Sequence, residues 1–231
     1  MNGALVPHAP LLLEEVSADT DALRDVRDGI ARVVVPEDAV VVVASPHGTG
    51  SFVYARPSGS LAGFGFAGVD VDIPIAIEHV DPIFDWEVVE NGPLDHGAVV
   101  ALHLLAIAQP TIAVSVTGDA SGLARAIEKV AATRSTFVIC SAHTSACLTE
   151  RAPVPYSIDA IRLDARFITE VESDCGVARD LAPEFETIGA SCSRSTLQLF
   201  GELFAGTPGK VQAYGAPAGV GYPVVTVARD V

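Results

Sequence analysis

Along this chain, short β-branched runs alternate with stretches whose apolar residues recur at helical spacing. Gly3 to Val6 reads as a first strand that stops at Pro7-His8-Ala9-Pro10. Ala22, Leu23, Val26, Ile30 and Val33 then follow at the spacing of an amphipathic helix, with Ser17 or Asp19 in position to cap it. Ala39 to Ala44 is almost purely β-branched, the composition of a strand buried on both faces, and it ends at Ser45-Pro46-His47-Gly48. Residues 51 to 77 are glycine-rich and alternate weakly, which predicts a hairpin or excursion leading to a strand near Val71 to Ile77. Further helices are predicted over Asp95–Ala106, Ser121–Ala132, Ser157–Asp174 and Ser193–Phe204. Further strands are predicted over Thr111–Val116, Thr136–Cys140, Val211–Gly215 and Tyr222–Ala228.

Strands that alternate with helices in this way form a sheet covered by helices on both faces. The expected fold class is therefore α/β, a three-layer α/β/α arrangement around a central, mostly parallel or mixed sheet. The chain contains no internal repeat, low-complexity stretch or convincing linker, so residues 1–231 are expected to form a single domain.

Composition narrows the partners. Apolar residues make up 49% and charged residues 19%, enough for one large core. No segment reaches the roughly 20 consecutive apolar residues of a membrane-spanning helix. The N-terminus also lacks a basic region followed by an apolar stretch and cleavage site, so a soluble cytoplasmic protein is expected, with no membrane partner. Fourteen basic against 29 acidic side chains give a formal charge of −15, a field that repels phosphate backbones and excludes nucleic acid as a partner. A small neutral or cationic ligand meets no such penalty, whereas an anionic one needs a locally positive feature such as a bound metal. The oligomeric state is open; a homodimer is the common default among soluble oligomers. Of the four cysteines, Cys140, Cys147 and Cys175 read as reduced core residues, and Cys192 stands apart.

The histidines carry the candidate chemistry. In open α/β sheets, ligands bind beyond the carboxyl ends of the strands. His8 follows the first predicted strand and His47 the second, and flanking Pro and Gly residues fix turns that project their side chains from the rim. Two neutral imidazoles presented together are natural ligands for a borderline metal; the alternative is that each hydrogen-bonds a loop carbonyl. His96, in Leu94-Asp95-His96-Gly97, stands at a helix start that Asp95 can cap. His143, in Ser141-Ala142-His143-Thr144, follows another buried strand and can reach the same rim. His103 reads as an ordinary helix histidine, and His79 carries no signal.

Pro7-His8-Ala9-Pro10, Ser45-Pro46-His47-Gly48 and Asp95-His96-Gly97, in that order, resemble the class III (LigB-type) extradiol ring-cleavage dioxygenases and the related Memo proteins. The resemblance extends nearly to the end of the chain, where Gly219-Val220-Gly221-Tyr222 also fits small members of the group. It implies a LigB-like dioxygenase fold with His8 and His47 as metal ligands and His96 lining the substrate pocket. In the dioxygenases a later Glu completes a facial triad for Fe(II). Here Ala190-Ser191-Cys192-Ser193-Arg194 resembles the Memo segment whose cysteine completes the site, making Cys192 the first choice of third ligand and Glu202 the fallback. A thiolate would also admit softer ions such as zinc or copper.

One departure bears on catalysis. The family reads Ser-Gly-Asp-x-Ser-His after the strand corresponding to Thr136–Cys140, and the final histidine is its acid/base. Here the stretch is Ser141-Ala142-His143-Thr144-Ser145-Ala146, with Ala146 at the position of that histidine. His143 or His96 would then have to move the substrate proton. The resemblance implies cleavage of a small catechol-type aromatic diol with non-haem Fe(II) and dioxygen. Its alternative is a Memo-like metal- or ligand-binding protein that opens no ring. A third reading is a scaffold with purely structural histidines whose function lies in partner binding.

Overall fold

The structure, a computed structural model, describes residues 1–14, 16–17, 21–48, 50–54, 58–73, 88–89, 93–118 and 120–229. In chain order its strands are β1 (Asn2–Val6), β2 (Val40–Ser45), β3 (Phe52–Tyr54), β4 (Ser58–Ser60), β5 (Asp70–Asp72), β6 (Val88–Val89), β7 (Thr111–Ser115), β8 (Thr136–Ser141), β9 (Lys210–Gly215) and β10 (Tyr222–Ala228). Its α-helices are α1 (Asp21–Ile30), α2 (His96–Leu104), α3 (Ala120–Ala131), α4 (Ile158–Val171), α5 (Val177–Thr187) and α6 (Arg194–Leu203). Eight strands form one mixed sheet in the order β6-β3-β7-β2-β8-β1-β10-β9, while β4 and β5 pair as a separate ribbon. The centre is parallel, because β2 pairs with both β7 and β8, and β1 pairs with β8, in that sense. The β10 and β9 strands extend it antiparallel beyond β1.

Alternation along the strands divides the core in two, as the period-2 pleat requires. Leu5, Val42, Ala44, Val114, Val138 and Cys140 face one side, under the apolar faces of α3, α4, α5 and α6. Ala4, Val6, Val41, Val43, Ala113 and Ile139 face the other, under α2 and the ribbon. Every residue of β2 is buried, which is why its sequence shows a continuous apolar run and no alternation. At the antiparallel edge α1 sets Leu23, Val26 and Ile30 against Tyr222 and Val224.

The observed elements fall within a few residues of most of those expected, and three differ. The strand expected over Val71 to Ile77 is, in its described part, only β5, paired with β4 outside the main sheet; residues 74–77, like His79, lie outside the described residues. Asp19 does too, and the Ser17 hydroxyl donates to the Leu11 carbonyl at 2.6 Å. Helix α5 was not expected. Pro183 sits inside it, an internal position that lacks an N–H donor, and disguises the apolar series Val177, Ala178, Leu181, Ala182 and Phe185. Packing on α6 compensates: a Cβ on Gly201 would collide with the backbone of Arg179, so the two helices cross there in close contact. Among the described residues, no helix is long and apolar enough to cross a membrane.

Candidate metal centre

Three adjacent parallel strands deliver three histidines to one rim. The β2-β8-β1 order places β8 in the middle. His47, His143 and His8 each stand two residues beyond the last residue of their strand. Neighbouring strands lie about 4.8 Å apart, so side chains leaving their ends need lean only slightly to meet. The His8 ring lies 4.5 Å from that of His47 and 5.1 Å from that of His143, between centroids. His96 opens α2 and brings its ring to 3.9 Å from His47.

The fifth member, Cys192, comes from the loop between α5 and α6. Its Sγ lies 3.2 Å from His143 Nε2, 3.6 Å from His8 Nε2 and 3.7 Å from His47 Nε2. One ligand atom each from His8, His47 and Cys192 falls within a mutual 4.8 Å. Two ligands of a tetrahedral ion with bonds of about 2.0 Å to nitrogen and 2.3 Å to sulfur stand roughly 3.6 Å apart, so the two sulfur–nitrogen separations match shared coordination. Glu202, the other candidate third ligand, lies instead on α6, along a cleft that Cys192 also lines.

The donors also have little else to bind. His8 is buried, its Nδ1 makes no hydrogen bond of regular geometry with a described residue, although the Ser141 backbone lies near enough to favour its charged form slightly, and its Nε2 faces the sulfur. A buried imidazole with so few partners is costly, and a cation at Nε2 would give that nitrogen the partner it lacks. Burial first, and then repulsion from His143, His47 and His96, holds His8 well below the usual histidine range. Burial and neighbouring histidines likewise lower His47 to about 4, and burial lowers His143 to about 4. His96 is lowered by burial, against the pull of Asp95. At neutral pH the cluster is therefore uncharged and its lone pairs are available. Cys192 is exposed as a residue, yet desolvation of its sulfur pushes the thiol up, so a bound cation would have to displace that proton. The residues present fit a metal ion.

A hydrogen-bonded frame holds these groups. His143 donates its backbone N–H to Ser193 Oγ at 2.9 Å, and Ser191 Oγ donates to the His143 carbonyl at 2.9 Å. The two serines beside Cys192 thus clamp the backbone on both sides of His143. The contact of 3.0 Å between His143 Nδ1 and the Thr144 carbonyl assigns the ring proton to Nδ1 and turns the Nε2 lone pair toward Cys192. Asp95 caps α2 by accepting from the Ala98 N–H at 3.1 Å and also accepts from the Ser45 hydroxyl. Gly97 is required there, because a Cβ would run into Ser45 Oγ and reach 3.1 Å from the His47 ring.

Behind His143 lies Asp164, which is 2% exposed and accepts hydrogen bonds from the hydroxyls of Thr144, Ser145 and Tyr214. Burial pushes its carboxyl up, and the three hydroxyls only partly counter that. On the other flank Phe64, 58% exposed, sets its ring 5.2 Å from His96. Neither residue carries a local sequence signal: Asp164 falls within a helical pattern and Phe64 in the glycine-rich excursion. The serine clamp was adjacent to a residue singled out, but its partner is 48 positions away.

No family model and no curated protein matches the chain. Among solved structures, it is similar to the crystal structure of an uncharacterized protein, JW3007, from Escherichia coli K12. The identity is 16% and the TM-score 0.57, over 99% of this chain and 100% of that one. At that identity the likeness carries the mixed α/β fold alone.

Proposed function

We propose that this chain has the LigB-like fold and is a metal-dependent oxidoreductase that opens the ring of a catechol-type substrate with non-haem Fe(II) and dioxygen. The observation that carries the reading is the convergence of His8, His47 and Cys192 on one point, with His143 and His96 at its margin. Fe(II) held by those three residues would supply the redox chemistry and the positive charge that attracts a catecholate. His143 is the proton acceptor: its Nδ1 is committed to Thr144, which leaves the Nε2 lone pair for a substrate hydroxyl. It stands in for the histidine missing at Ala146, a reading supported by its ring lying 5.1 Å from that of His8 and its Nε2 3.2 Å from Cys192 Sγ. Phe64 and His96 offer an aromatic wall against which a substrate ring can stack.

The experiment is anaerobic loading with iron, followed by dioxygen and a panel of catechols, with oxygen uptake and the absorbance of ring-opened product as readouts. Ring opening that disappears in His143→Ala, while iron stays bound, supports the reading. Stoichiometric iron with no ring opening on any catechol rejects it.

One observation favours a second reading, a Memo-like metal-binding protein without ring cleavage. The donor set places a sulfur where the dioxygenases use a carboxylate. A thiolate prefers softer ions and shifts the redox balance of iron. On that reading the purified protein carries zinc or copper, and restoring a histidine with Ala146→His produces no ring opening.

A further inference from the structure

A cleft of about 730 Å3 opens beside the cluster, and Pro46 and Cys192 are among its lining residues. Its volume is that of a site for a small molecule. Among the described residues that line it none is aromatic; its walls carry Arg179, Glu186, Arg194, Gln198 and Glu202. Arg194, Gln198 and Glu202 recur every four residues and so form one stripe along α6, running away from Cys192 over roughly 12 Å of helix.

The charges along that stripe are not equivalent. Arg194 is paired at 2.5 Å with Glu186, which also lines the cleft, and Arg179 is paired at 2.9 Å with its neighbour Asp180, so each cation already has a counter-charge. Glu202 is half-buried and has neither an ion pair nor a hydrogen bond with any described residue. The metal has no use for it, since the ligand atoms that converge belong to His8, His47 and Cys192. Among the described residues, what the cleft offers an incoming molecule is therefore the unpaired carboxylate of Glu202, about two helical turns along α6 from its Cys192 end, in a protein whose formal charge of −15 attracts cations.

We infer that the cleft is a subsite for a cationic tail on the substrate, an ammonium or guanidinium group, with Glu202 as its counter-charge. The inference rests on the proposed reading of the metal centre as the place where the reacting end of the substrate sits. It makes Glu202 a specificity-determining residue and not a ligand of the ion. A substrate of this class is a polar, positively charged derivative of an aromatic diol, not a plain or acidic one.

The test uses the full chain loaded with zinc, which binds without turnover. The probes are three 3,4-dihydroxybenzamides with the same six-carbon tail, ending in an ammonium, an acetamide or a carboxylate, titrated by calorimetry. The ammonium probe is expected to bind roughly tenfold more tightly than the acetamide probe, the gain of one charge-assisted hydrogen bond. In Glu202→Gln, with zinc content and melting temperature unchanged, that preference is expected to fall to about twofold or less. Equal binding of all three probes, or a preference that survives in Glu202→Gln, overturns the inference. Tightest binding of the carboxylate probe also overturns it and assigns the cleft to its arginines. If the ammonium preference is present but the iron-loaded protein opens no ring, the oxygenase reading fails and the subsite stands. If no probe binds, both fail.

Discussion

Gly221→Ala tests whether the frame behind His143 is as tight as its geometry implies. Gly221 lies just before β10 and is bonded twice to the loop that follows His143. Thr144 donates its N–H to the Gly221 carbonyl at 3.0 Å, and Gly221 donates its own to the Ser145 carbonyl at 2.7 Å. A Cβ at this position would fall well inside van der Waals contact of Thr144 Oγ1 and Asp164 Oδ2 and lie 3.1 Å from the Tyr214 hydroxyl. All three atoms belong to the hydrogen-bond set centred on Asp164, and neither Thr144 nor Asp164 has room to retreat, at 0% and 2% exposure. Relief must break at least one hydrogen bond to the carboxylate, at about 1.5–3 kcal/mol. Overpacking adds about 1–3 kcal/mol. The total of roughly 2.5–6 kcal/mol corresponds to a fall in melting temperature of about 5–24 °C for a chain of this size. Thermal unfolding followed by circular dichroism measures it. The double variant with Thr144→Ala removes one of the obstructing atoms, so its loss should be smaller than the sum of the single losses by about 1 kcal/mol or more. A Gly221→Ala protein that melts within 2 °C of wild type, or losses that simply add, would refute the reasoning.

Metal content should vanish in the His8→Ala, His47→Ala double variant and fall at least tenfold in Cys192→Ala, as read by elemental analysis of protein purified without a metal-binding tag. The metal-free protein should lose stability in mild acid. Its buried histidines have folded pKa values below the unfolded value of about 6.5, so the folded state binds fewer protons. Their stabilisation is full above pH 6.5 and is lost as the pH falls through about 4, the value for His143 and His47. For the well-buried His143 alone the loss is of the order of 3 kcal/mol. Denaturant midpoints that stay level from pH 7 to pH 4.5 would contradict it. Asp164→Asn should cost about 1–3 kcal/mol, because an amide cannot accept three hydroxyls as a carboxylate does, and urea unfolding at pH 7 checks it. Phe64→Ala should leave the melting temperature within 2 °C, given the exposure of the ring, and weaken catechol binding to the zinc-loaded protein about threefold to tenfold; unchanged affinity would remove Phe64 from the binding surface.

Local pattern determined a large part of this molecule. The apolar run of β2 declared a strand buried on both faces because all of its residues are in the core. Asp95 and Ser157 declared helix starts, since each accepts from the backbone N–H three residues on. His8 and His47 could be read as rim residues because a Pro or Gly turn after a buried strand leaves few other directions for a side chain. Helix α5 escaped because its internal proline is tolerated only by virtue of its packing on α6 through Gly201, which no local pattern carries. The grouping of the site was likewise a tertiary decision. Cys192 meets His8 across 184 positions of sequence. His143 stands beside His8 and Cys192 because β8 is inserted between β1 and β2. Counting residues against the family motif aligned Ala146 with its acid/base histidine, while the order of the strands brought His143 beside His8 and Cys192. Asp164, Phe64 and the Glu202 cleft were invisible for the same physical reason. Hydrophobic period encodes which way a residue faces within its own element, whereas convergence at a site depends on how elements distant in sequence are ordered and packed.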